Sequence, residues 1–213
     1  MKISFLCSDT LHPLNAYLKR WQEENADKYT IELVQKKADV CDGDILFLVA
    51  CTEILTQKDR DRFRHCLVLH ASDVPRGRGW HPHIWEIIEG TEEITVSLLE
   101  AEDKVDSGRI WKKLQVSIPK HALWSEINDL LFQAEIELID YAVKNCDRVQ
   151  PIAQASDQES SYYPRRYLKD SQIDPSIGLT QQFDLIRVCD PNRFPAYFEY
   201  LGHRYSLKIE KIL

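Results

Sequence analysis

The sequence predicts an α/β fold: a doubly wound, mostly parallel sheet followed by a small C-terminal segment. Strand-like and helix-like stretches alternate through the first half of the chain. Two of the strand-like runs, "DILFLVA" (44–50) and "CLVLH" (66–70), are continuously apolar, as in strands covered on both faces. A long amphipathic stretch then closes the alternation.

The elements follow in order. "KISFLC" (2–7) reads as the first strand. Residues 13–24 place Leu14, Leu18 and Trp21 at helical spacing, with Pro13 suited to a first turn. "YTIELV" (29–34) alternates as a strand does, and "DILFLVA" is the next. "TQKD" (56–59) resembles a capping box opening a short helix to about residue 64. "CLVLH" is a buried strand, "HIWEIIEG" (83–90) a helix stopped by Gly90, and "ITVSLLE" (94–100) a further strand. Residues 122–146 form the clearest helix, with Ile127, Leu131, Ala134, Leu138 and Ala142 on one stripe. Residues 150–180 are polar and read as a long surface excursion. The end of the chain suggests a helix in "FDLIRVCD" and a hairpin in "AYFEYLGHRYSLKI", turning at Gly202. The expected division is residues 1–150 for the α/β domain and 151–213 for an extension packing on it.

Bulk properties narrow the function. The 213 residues are 44% hydrophobic and 29% charged, with a mean hydropathy of -0.38. No apolar run approaches the ~20 residues of a membrane span. The N-terminal apolar stretch is too short for a secretory signal. Six cysteines (7, 41, 51, 66, 146 and 189) form no CxxC pair, so free thiols in a reducing cytoplasm are expected. A net charge of -7 argues against nucleic acid as the main partner.

Four of the seven glycines (77, 79, 90 and 108) lie within residues 77–108, whereas the first turn, "CSDTLHPLN", has none. That turn lacks the cradle of a dinucleotide or triphosphate site. In an open α/β sheet ligands bind beyond the carboxyl ends of strands. His70 ends one strand, and Asp106 follows another in "EAEDKVDSGRI". If the strands are neighbours, the carboxylate can fix the imidazole's tautomer and support a proton-transfer role. On pattern alone, a packing role for His70 stays open. "HPH" (His81, His83) lacks a third ligand at metal spacing, so no metal is expected.

"LHASDVPRGRGWHPHIWEIIEG" and "ITVSLLEAEDKVDSGRI" together resemble the folate-dependent formyltransferase family. Its members carry N-x-H-x-S, an Arg-Gly loop and a downstream D-x-G-x-D-[ST]-G-x-I loop. The resemblance runs from residue 1 to about 145. It implies a Rossmann-like fold and transfer of a formyl group from N10-formyltetrahydrofolate to an amine. His70 and Asp106 would be catalytic, and Cys51, Ile54, Leu55, Ala101, Glu102 and Asp103 would border the folate pocket. Lys104 belongs to the same loop. Val68 stands where the family has Asn, removing an amide donor. His81, His83, Ser72 or a backbone N–H could replace it, His70 could act alone, or activity could be lost. Asp73, where many relatives have Leu, is a second departure.

The chain is too short and acidic for the methionyl-tRNA branch, and it lacks the phosphate loop of the glycinamide ribonucleotide branch. "SSYYPRRYLKDSQID" (160–174) and the C-terminal region resemble the nucleotide-sugar N-formyltransferases, which modify amino sugars of bacterial surface polysaccharides. Ser72, Arg76, Arg78, Trp80 and Arg165 are the expected substrate-binding residues, with Arg166 and Trp85 beside them. Another small-amine acceptor, donor hydrolysis, and a binding protein without turnover are the rival readings. The apolar C-terminus suits either a homodimer contact or a packed hairpin.

Overall fold

The structure, a computed structural model, describes residues 1–212. The α/β part comprises β1 (Lys2–Leu6), α1 (Leu14–Asn25), β2 (Thr30–Val34), β3 (Gly43–Leu48), α2 (Gln57–Arg60) and β4 (Phe63–His70). It continues through β5 (Arg78–Gly79), α3 (Pro82–Ile88), β6 (Glu93–Glu100), β7 (Ile110–Ser117) and α4 (Trp124–Asn145). Beyond it come β8 (Tyr162–Tyr163), α5 (Phe183–Arg187), β9 (Ala196–Tyr200) and β10 (His203–Leu207).

The main sheet has the order β2-β1-β3-β4-β6-β7. The β1–β2, β1–β3 and β3–β4 pairs are parallel, while β6 runs against both of its neighbours. The sheet is therefore mostly parallel with one reversed strand. Among the described residues no helix is long and apolar enough to cross a membrane.

Side chains alternate across the strands, and the two faces are covered unequally. Ile3, Phe5, Ile45, Phe47, Leu67 and Leu69 join the large core with Leu18 and Trp21 of α1 and with Ile127, Leu131 and Leu138 of α4. Trp21 Nε1 also donates to Asp140 Oδ1 at 2.8 Å, tying the two helices together. The opposite face carries a smaller cluster of Leu6, Val40, Leu46 and Leu55, with Cys51 and Cys66 packed against it. Alternation puts Val68 and His70 on this thinly covered face, which leaves room for a site there.

Several expectations need correction. The helix opened by the Thr56–Asp59 capping box stops at Arg60 rather than near residue 64. Pairing of Phe63 with Gly43 has already begun β4. "IWKKLQVS" (110–117), which carries no clear strand signal, is the edge strand β7. Lys112 and Lys113 interrupt its apolar pattern, a common device on exposed edges. The polar stretch 150–180 is more than an excursion: β8 pairs in parallel with β5, and Ile152 bridges to Ile110. At the C-terminus β9 and β10 form the expected antiparallel hairpin, with positive φ at Leu201 and Gly202 in its two-residue turn.

Candidate active site

Register decides how the two candidate catalytic residues meet. His70 pairs with Ser97, and Glu100 pairs with Leu67. Because β6 is antiparallel, its carboxyl end lies three residues below His70, about 10 Å at strand rise. The loop after Glu100 must fold back over that distance. Gly108 makes the fold possible: a Cβ there would stand 1.8 Å from the Glu100 carbonyl oxygen, so only glycine fits. The returning loop delivers Asp106 with φ 51°, a conformation that Asp and Asn tolerate better than most residues.

Asp106 Oδ1 lies 3.6 Å from His70 Nδ1, with both side chains 8% exposed. The other carboxylate oxygen accepts from the Gly79 N–H at 2.9 Å. His70 Nε2 lies 2.9 Å from the Gly77 carbonyl oxygen, which can only accept, so Nε2 carries a proton in this arrangement. Both ring nitrogens thus face acceptors. A neutral imidazole has one N–H to offer, and the imidazolium satisfies both sides.

Residues outside the His70 and Asp106 loops hold this arrangement. Gln154 Nε2 donates to the Asp106 and Gly108 carbonyls at 2.8 and 2.9 Å, and its Oε1 accepts from Arg78 Nη2. Ser161 Oγ accepts from the Gly77 N–H at 2.9 Å, and its carbonyl accepts from the Arg78 N–H at 3.0 Å. Residues 161–164 therefore strap the loop that carries Gly77 and Gly79. A Cβ at Gly79 would meet the Tyr163 carbonyl at 2.5 Å, so glycine is what lets the strap lie so close. Trp85 Nε1 donates to the Pro164 carbonyl at 3.0 Å.

The expected pocket residues are placed as follows. Leu55 is buried, Cys51 and Ala101 are half-buried, and Glu102 is exposed. Ile54 is 72% exposed, an apolar side chain left in solvent at the edge of this face. Asp103 is bound by Arg60 Nη2 at 2.5 Å. Buried Arg60 also donates to the Leu55 carbonyl and Gln57 Oε1, both at 2.8 Å, so it staples the 51–55 and 101–106 segments together. Ser72 is fully buried, donates to the Arg76 carbonyl at 2.9 Å and shapes its own loop. Arg76 is exposed. Arg165 lies 4.9 Å over the Trp80 ring, and Arg166 5.3 Å over Trp85. Asp73 pairs with Lys113 of β7, which also donates to the Val74 carbonyl, so this departure tethers the His70 loop to the sheet edge.

The nearby titratable groups are shifted chiefly by desolvation. Burial pushes His83 down to about 3, and His81 falls to about 4 by desolvation with Arg166 beside it. Glu86, whose Oε1 packs close to Gly77, is pushed up to about 7 by burial and by Glu89 and Asp73. Among the described residues, no three His, Cys, Asp or Glu side chains gather as metal ligands.

Sequence reasoning missed Arg60, Gln154, Ser161 and Tyr162. Each acts through a contact distant in sequence, or lies in polar surroundings that carry no local signature.

A methionyl-tRNA formyltransferase of Protochlamydia amoebophila is 30% identical over 175 residues, covering 80% of this chain and 54% of its own. The chain thus spans about half the length of that relative. Among solved structures, a methionyl-tRNA formyltransferase from Clostridium thermocellum superposes with a TM-score of 0.81 at 20% identity, covering 100% of this chain and 94% of that one. A sugar N-formyltransferase from Shewanella sp. superposes with a TM-score of 0.74 at 17% identity, covering 100% and 98%. These likenesses establish a common fold. Residues 16–143, more than half of the chain, match the formyl transferase family model, and on that match the chain belongs to the formyl transferase family.

Proposed function

We propose that this protein moves a formyl group from N10-formyltetrahydrofolate to the amine of a nucleotide-linked amino sugar. The observation that carries the reading is the buried His70–Asp106 pair on the thinly covered sheet face, 3.6 Å apart. The surroundings fit the donor: apolar Cys51, Ile54 and Leu55 suit a flat heteroaromatic ring, and the 101–106 loop offers backbone groups to its edge. When bound, the donor supplies a formyl carbon open to attack by a neutral amine.

The chain's part is electrostatic. His70 Nε2 already donates to a carbonyl, that of Gly77, so its geometry favours donation to an oxygen over removal of a proton. Exchanging Gly77 for an oxygen that gains negative charge strengthens that bond. Asp106 stabilises the imidazolium form, and the Gly79 N–H with Gln154 keeps the carboxylate in place. Val68 contributes no donor, so His70 carries the oxygen-stabilising role.

The net charge of -7 weighs against tRNA as acceptor, and the segment at 160–174 resembles the sugar-modifying branch. The names of the relatives favour methionyl-tRNA as the second reading. Mass spectrometry of transfer from N10-formyltetrahydrofolate to nucleotide-linked amino sugars and to methionyl-tRNA tests both. We expect a formylated sugar, reduced at least about a hundredfold by His70→Ala. Formylation of the tRNA alone would move the acceptor to the second reading, and transfer to neither, nor to other amines, would refute the function.

A further inference from the structure

Arg78 is 7% exposed, yet among the described residues its guanidinium makes no ion pair. Its Nε is buried without a hydrogen-bond partner. Nη2 meets the neutral amide oxygen of Gln154, and Nη1 reaches the Tyr162 hydroxyl at a long 3.3 Å. A buried guanidinium met only by neutral groups is costly, and such cations are normally paired with an anion. The net charge of the chain is -7, so a shortage of carboxylates does not explain why none pairs with Arg78.

Tyr162 meets this cation from the solvent side, through the long hydroxyl contact and with the guanidinium carbon 5.9 Å from its ring centroid. The carboxylate on the adjoining loop has other partners: Asp106 accepts from the Gly79 N–H and lies beside His70. Tyr162 itself is 51% exposed. Its hydroxyl therefore occupies, from the solvent side, a position in front of a buried cation that lacks an anion.

We propose that Arg78 forms an oxyanion subsite beside the His70–Asp106 pair, entered by displacement of the Tyr162 hydroxyl. Arg78 offers a planar fork suited to two-pronged binding of phosphate or carboxylate. On the proposed function, which this assignment of the ligand's source rests on, two molecules bring such a group. One is the acceptor, through its diphosphate; the other is the donor, through the glutamate carboxylates of its tail.

Isothermal titration of the full chain with sodium pyrophosphate, uridine diphosphate and para-aminobenzoylglutamate separates the sources. At least one probe is expected to bind with a Kd below about 1 mM. Preference for the diphosphates assigns the subsite to the acceptor, and preference for the carboxylate assigns it to the donor. Arg78→Lys, which keeps the charge but loses the fork, should weaken binding about tenfold, and the exposed Tyr162→Phe, which removes the hydroxyl to be displaced, should bind at least as tightly as wild type. An affinity of Arg78→Lys within about threefold of wild type overturns the proposal, as does binding by Tyr162→Phe more than about threefold weaker than wild type, or failure of all three probes to bind. Should Arg78→Lys fail to fold, Tyr162→Phe alone decides. Formyl transfer without anion binding would remove this subsite and spare the proposed function. Anion binding without formyl transfer would do the reverse.

Discussion

Asp106→Asn is the sharpest perturbation of the proposed chemistry, because it removes a charge while leaving the loop almost untouched. The Asn side chain is nearly isosteric, its amide oxygen can still accept from the Gly79 N–H, and Asn tolerates the φ of 51° at this position. Stability should therefore change by less than about 1 kcal/mol. The interaction with an imidazolium is different. Two unit charges 3.6 Å apart, at an effective dielectric of about 20, attract by roughly 4.5 kcal/mol. If that attraction is present in the transition state, losing it costs about three powers of ten in kcat. The dipole of the Asn amide and water entering the site reduce the loss, and a fall of about a hundredfold is expected. The assay is formyl transfer under single-turnover conditions, with thermal unfolding of the same samples. His70→Ala and the double variant complete a cycle. Because Asp106 acts through His70, the double variant should be no slower than His70→Ala alone. A kcat within about threefold of wild type for Asp106→Asn, or a double variant whose loss is the product of the two single losses, would refute the reasoning.

Two further predictions concern residues outside the catalytic pair. Arg60→Ala should lower stability by about 1–3 kcal/mol in urea titration, because it leaves the Leu55 carbonyl without its donor. It should also raise KM for the folate donor about tenfold while changing kcat little, since the 51–55 and 101–106 segments lose their staple. Glu135 on α4 is buried, its Oε2 has no partner, and burial pushes its pKa up to about 8. The unfolded chain ionises this group near 4.5 and the folded chain only near 8. Wild type should thus lose stability relative to Glu135→Gln as pH rises across that window, on the order of a few kcal/mol. Parallel melting curves that keep a constant separation from pH 4.5 to 8 would rule this out.

Much of the architecture is legible in the sequence because it depends on local periodicity. The stripe on α4, the apolar runs of β3 and β4, the Thr56–Asp59 box and the Gly202 hairpin all follow from the spacing of apolar, capping and turn residues. "IWKKLQVS" escapes that logic, because an edge strand exposed on one side tolerates lysines where a central strand would not. The direction of β6 is also beyond it: "ITVSLLE" is equally apolar whichever way it runs, and only pairing with β4 fixes the orientation.

The sequence by itself determined the α/β class, most strand and helix positions, and the candidacy of His70 and Asp106. The tertiary structure decided how those two meet. The reversed β6 ends away from His70, and only a loop folded tightly at Gly108 brings the carboxylate back. The structure also decided that Ser72 braces its own turn, that Arg60 joins two segments of the expected pocket, and that residues 154–164 strap the His70 loop. Hydrogen bonds such as Gln154 to Asp106, or Arg60 to Asp103, join residues more than forty positions apart. A polar side chain in a polar stretch gives no sign of such a partner, because the partner is selected by the folded sheet and not by neighbours along the chain.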